Sequence, residues 1–118
     1  MSACTPELQQ LGDDGKPLPK LYDLANQDSA TVQFRVLDAV NALRSSAGHS
    51  NVSLNAQLTA AAATHSRDMS LQNRPWHFGS DGSSPLDRVD RVGYKQQLIG
   101  EAISETFETE LETIAAWM

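Results

Sequence analysis

Strand alternation occurs once in this sequence. Over residues 96–104, Ile99, Glu101 and Ile103 fall on one face of a period-two pattern. The other apolar runs repeat at helical spacing. A single strand leaves its backbone N–H and C=O groups unpaired, so it is not a stable architecture by itself. The chain also reaches Met118 in the middle of an amphipathic pattern. These features together predict a truncated domain, mostly helical over the residues present because its later strands are absent.

The helical runs have readable ends. Val32, Val36, Leu37, Val40 and Leu43 recur at helical spacing, with Asp28 or Ser29 able to cap the start and Gly48 closing the run. A second helix is predicted from near Asn55 to a point before Pro75, with Leu58, Ala61, Ala62, His65 and Met69 on one stripe. Residues 76–85 are too rich in Gly and Ser for a regular element and read as a loop. Pro85 suits the first turn of a short helix through Leu86, Val89 and Val92, ended by Gly93. Thr106 is placed to cap a last helix carrying Phe107, Leu111, Ile114, Ala115 and Met118. Residues 1–28, broken by Gly12, Gly15, Pro17 and Pro19, read as a tether or surface-laid segment, and 29–118 as the domain.

Charge narrows the partners. Nine basic and fifteen acidic residues give a net charge of −6, which argues against nucleic acid or an anionic membrane as a direct electrostatic partner. No run approaches the roughly 20 apolar residues that span a bilayer. One cysteine, Cys4, makes no internal disulfide and no thiolate-rich zinc site by itself.

His77 and Glu101 are the best candidate site residues. Imidazole nitrogen and carboxylate oxygen both ligate a borderline cation such as zinc, and both move protons. An inward carboxylate at Glu101 is costly unless paired or coordinated; the plainer alternative is a hydrogen bond to a helix terminus or a salt bridge to an arginine. His65, on the apolar stripe, reads as a packed histidine bonded to a neighbouring helix or loop. Ser80, Ser83 and Ser84 with His77 and Asp81 offer the residue types of a hydrolytic triad, but they crowd one Gly-rich loop without a nucleophile-elbow pattern, and turn-making is the better reading. Trp76, Phe78, Tyr94 and Trp117 are expected in the core. The five carboxylates of 101–118 lack calcium-loop spacing and read as a solvated helix face.

The order of residues resembles a known family. Val40-Asn41-Ala42-Leu43-Arg44, Gly48, Leu54, Leu58 and Ala62 are followed by His65-Ser66, Asp68-Met69 and His77-Phe78-Gly79-Ser80-Asp81-Gly82-Ser83. Asp87-Arg88, Gly93-Tyr94, Gly100-Glu101 and Trp117-Met118 complete the string. From about Thr31 to Met118 this is similar to the bacterial branch of the CAP superfamily, the cysteine-rich secretory, antigen five and pathogenesis-related proteins (SCP-like extracellular domains). The resemblance implies an α+β fold, an α-β-α sandwich with a cavity lined by His and Glu, and it matches His77 and Glu101 to cavity positions. Two departures stand out: Ala102 replaces the asparagine of the family's Gly-Glu-Asn, and the family's Ser-x-x-His segment and further strands lie past Met118.

The expectation that follows is an extracytoplasmic binding domain rather than an enzyme. His77 and Glu101 would hold a small ligand, a cell-envelope ligand or a weakly bound divalent cation such as zinc, two ligands being too few for a closed site. The alternatives are a metal-assisted or acid/base hydrolase of peptide or cell-wall material, with His77 as base, and a lipid- or sterol-binding surface protein. Ser2-Ala3-Cys4 resembles the end of a bacterial lipobox, so Cys4 is the expected lipidation site and a lipid anchor the only expected route to a membrane. Unpaired strand edges and an apolar last helix predict a homodimer through 96–118.

Overall fold

The computed structural model describes residues 11–17 and 24–118. Cys4 and much of the segment read as a tether lie outside the described residues. Among the described residues four α-helices follow one another: α1 (Ser29–Ser46), α2 (Ala56–Gln72), α3 (Pro85–Arg91) and α4 (Glu110–Trp117). A 3-10 turn, Leu24–Asn26, precedes α1.

Each helix starts where a short polar side chain satisfies an otherwise orphaned backbone N–H. Asp28 accepts from the Thr31 N–H at the start of α1, and Asn55 from the Leu58 N–H at the start of α2. Helices α3 and α4 carry complete capping boxes, Ser84 with Asp87 and Thr109 with Glu112. The last helix therefore starts three residues later than the Thr106 cap predicts. The box needs a side chain at the third helical position that can accept from the cap's N–H: Thr109 has Glu112 there, whereas Thr106 would have Thr109 itself. Gly93 ends α3 at φ 78°, a left-handed backbone that a side chain would strain.

The helices pack as two pairs, α1 against α4 and α2 against α3. The Arg35 guanidinium on α1 reaches the buried Glu110 carboxylate of α4 at 3.3 Å. Gln57 on α2 donates to the Gly93 carbonyl just past α3. Among the described residues the buried apolar core is small, consisting of Ala61, Val89 and Ile114. Its thinness follows from the composition of the stripes. Alanine fills much of the α2 face, and no residue of α1 is fully buried.

The strand expected at 96–104 does not form. Among the described residues there is no strand, only an isolated bridge between Leu11 and Pro17. Residues 97–104 run irregularly with no backbone–backbone hydrogen bond, and Ile99 is 96% exposed. A strand exists by its ladder, and no described segment lies alongside to supply one. Side-chain alternation alone puts Glu101 and Ile103 inward without closing a sheet. The described part is thus mostly helical, as predicted.

Candidate functional site

The site is built on the loop between α2 and α3. Three side chains from the flanking helices hold three consecutive loop carbonyls. His65 donates through Nε2 to the Trp76 oxygen at 2.8 Å, Arg88 through Nη2 to the His77 oxygen at 3.0 Å, and Gln72 through Nε2 to the Phe78 oxygen at 3.2 Å. The acceptor in the first bond is a carbonyl, which fixes the proton of His65 on Nε2. Two residues further on, the Asp68 carboxylate takes the Ser80 N–H at 2.7 Å. Gly79 is required at the tightest point, because a Cβ there would lie 2.6 Å from Ser83 Oγ and 2.7 Å from Asp81 Oδ1. The loop is thus irregular in dihedrals yet fixed in place, which is what a loop presenting a functional side chain needs.

The side chain it presents is His77. Its Nδ1 lies 2.9 Å from Glu101 Oε2, across 24 residues of sequence, and half of the ring remains exposed. The other carboxylate oxygen, Oε1, receives Arg88 Nη2 at 2.9 Å. A single Arg88 nitrogen therefore holds both halves of the pair, the backbone of His77 and the side chain of Glu101. Arg88 is only 6% exposed, and the Ser84–Asp87 capping box that starts α3 sets its position. This arrangement also meets the cost of an inward Glu101, as the arginine salt bridge of the plainer reading would.

Protonation follows from these contacts. Burial works upward on the Glu101 carboxyl, but the hydrogen bonds from His77 and Arg88 and the guanidinium charge outweigh it. The group is held below its ordinary value. An ionised Oε2 is purely an acceptor, so Nδ1 of His77 carries a proton, and the tautomer this selects has its lone pair on Nε2. That atom has no hydrogen-bond partner among the described residues. Carboxylate–histidine pairs of this form orient a ring for metal binding or general-base work.

The serines and Asp81 do not join this pair. Asp81 Oδ1 accepts from the Ser83 N–H at 2.9 Å and Oδ2 meets Arg91 at 3.0 Å, while Ser84 caps α3. Hydrogen bonds from Ser83 hold the Asp81 carboxyl far below the usual range, and Ser80 and Ser84 do the same, less strongly, for Asp68 and Asp87. These groups act as turn acceptors. The aromatic residues expected in the core are not buried. Trp76 and Tyr94 are half-buried, and Phe78 and Trp117 are 46% and 45% exposed. Trp76 instead takes the Arg74 guanidinium over its ring at 3.6 Å and meets Phe78 edge-on at 5.3 Å. With three buried apolar residues among those described, the interior is too shallow to take them.

Sequence reasoning missed Arg88, Asp68 and Gln72, which fix the loop. One signal was available for Arg88: a Ser-x-x-Asp box starting a helix places the next residue on its first turn, beside the loop that precedes it. No group of three or more His, Cys, Asp or Glu side chains able to hold a metal occurs among the described residues. Each Glu101 oxygen accepts one hydrogen bond, from His77 Nδ1 or from Arg88 Nη2.

Comparison with known proteins gives one family. The model of the cysteine-rich secretory protein family, CAP, matches residues 37–118, a span that includes every residue of the site. No curated protein and no solved structure matches the chain.

Proposed function

The chain belongs to the cysteine-rich secretory protein (CAP) family, and from that premise we propose that it is an extracytoplasmic binding domain whose ligand is taken by His77. The observation that supports this reading is the 2.9 Å contact between His77 Nδ1 and Glu101 Oε2, with Arg88 on the far oxygen. It leaves Nε2 as an oriented, basic, accessible atom. A small ligand with a donor group, or a divalent cation, would meet the protein there. A bound zinc ion would supply Lewis acidity. The His77 ring would be its ligand, with Glu101 orienting the ring rather than coordinating. One ligand predicts weak binding and only a modest rise in melting temperature.

Hydrolysis is the second reading, and the same pair favours it. An Nε2 lone pair backed by a carboxylate can take a proton from water. The loop serines are committed to turns and caps, so this route would use water as the nucleophile. The two readings separate in one experiment. Calorimetric titration with zinc chloride and turnover assays on peptide and cell-wall fragments are run on the protein and on His77→Ala. A binding domain shows weak zinc heat that vanishes in the variant, and no turnover. Turnover that disappears with His77 establishes the hydrolase. Heats and turnover unchanged in His77→Ala would remove His77 from either role.

A further inference from the structure

The backbone of 97–104 has no partner among the described residues. Over this run the chain makes no turn and no bend, and none of its N–H or C=O groups takes part in a hydrogen bond. Most of the segment is exposed, Ile99 almost wholly so, and water satisfies such groups. A straight row of unpaired donors and acceptors is also the template on which another strand adds. Protein edges are ordinarily blunted by an exposed lysine or a proline. This run has neither, and its one charged residue, Glu101, is matched by Arg88.

Charge complementarity selects a second copy as the occupant. In an antiparallel pair, residues that face each other lie on the same side of the pleat, so a two-fold axis relating two copies passes through a residue. Two centres use the run most fully: Gly100, which sets residue 97 against 103, and Glu101, which sets 98 against 104. A centre at Glu101 puts two carboxylates directly opposite each other, and like charges so placed are destabilising. A centre at Gly100 avoids this and matches the ends. Lys95 of each copy then stands opposite Glu105 of the other, and both residues are exposed and without an ion-pair partner among the described residues. A chain of net charge −6 repels its copies over most of its surface, yet along this edge it offers them two opposite-charge pairs with an uncharged or charge-matched run between.

We propose that residues 97–104 pair antiparallel with the same segment of a second copy, on a two-fold axis at Gly100, and that each copy thereby lends Ile99 to the wall of the other's His77–Glu101 site. This register places the partner's Ile99 directly opposite Glu101, with Cβ atoms about 4.5–5.5 Å apart. An isoleucine that is bare in one copy thus lies beside the carboxylate that orients His77. The pairing rests on the backbone and the charges, so it stands whether or not His77 takes a ligand.

Cysteine crosslinking reads the register. In a Cys4→Ser background, which removes the chain's own thiol, Gly100→Cys is oxidised and resolved without reductant. A Cβ at Gly100 meets nothing within 4 Å, so the substitution fits a single copy. Facing Cα atoms about 4.5–5.5 Å apart lie within disulfide reach, and a covalent dimer is expected. Ile99→Cys in the same background, whose two copies sit diagonally about 7–8 Å apart, should crosslink at least about tenfold more slowly. Lys95→Glu should weaken association at least about fivefold in sedimentation velocity, and adding Glu105→Lys should restore it. No covalent dimer from Gly100→Cys, equal crosslinking from Ile99→Cys, or association indifferent to Lys95→Glu would overturn the proposal. If Gly100→Cys does not fold, the exchange of Lys95 and Glu105 decides: restored association supports the register, and continued loss overturns it.

Discussion

At the scale of single residues, His77 and Glu101 play different energetic parts although they touch. Half of the His77 ring faces solvent, so its contact with Glu101 is screened. His77→Ala should lower stability by no more than about 1 kcal/mol while removing the proposed ligand atom, which chemical denaturation and zinc titration on one sample can separate. Glu101→Gln is different, since it strips the charge that faces a buried Arg88. We expect a loss of about 1–3 kcal/mol. The sign of its pH dependence follows from the depressed carboxyl. Stability from a group held below its unfolded value of about 4.3 is fully present above that pH and is lost as pH falls through the folded value. The gap in melting temperature between the protein and Glu101→Gln should therefore be constant above about pH 5 and shrink on acidification. A gap that widens in acid would contradict the assignment. The sequence made His77 and Glu101 legible as ligand types, and Arg88 was hidden because an arginine on a short helix reads as solvated unless the fold buries it.

At the scale of elements, helices were legible where local chemistry alone decides them, and the strand was not. The caps at Asp28 and Asn55 and the stop at Gly93 need only residues within a few positions. The run 96–104 alternates correctly, yet a ladder depends on a partner that no local pattern can show. The start of the last helix failed for a local reason: two threonines compete, and the glutamate at the third position settles it for Thr109. Thr109→Ala should cost about 0.5–2 kcal/mol, and Thr106→Ala should stay within about 0.5 kcal/mol. Equal losses, read by denaturant midpoint, would return the cap to Thr106. At the head of α3, Ser84→Ala should cost a similar amount to Thr109→Ala. It should also loosen Arg88, so that zinc binding at His77 weakens along with the melting temperature.

At the scale of the whole molecule, little apolar surface is sealed inside among the described residues. Ile99, Leu111, Trp117 and Met118 stand 96%, 56%, 45% and 61% exposed, and all fall in the segment read from sequence as a dimer interface. Burying a side chain of this size is worth roughly 1.5–3 kcal/mol, so pairing of two copies through 96–118 remains our prediction. Sedimentation velocity from one to a hundred micromolar should show association, and a concentration-independent monomer would contradict it. The site itself is also a whole-molecule property. His77 comes from the 76–84 loop, Arg88 from α3 and Glu101 from an irregular segment, and they meet only when all three are in place. The most direct measurement is the ¹⁵N spectrum of the His77 ring at pH 8, in the protein and in Glu101→Gln. A proton fixed on Nδ1 and a free lone pair on Nε2 are expected, with that preference lost in the variant and Nε2 shifting on addition of zinc. A proton on Nε2 in the unaltered protein, or a ring indifferent to Glu101, would contradict it.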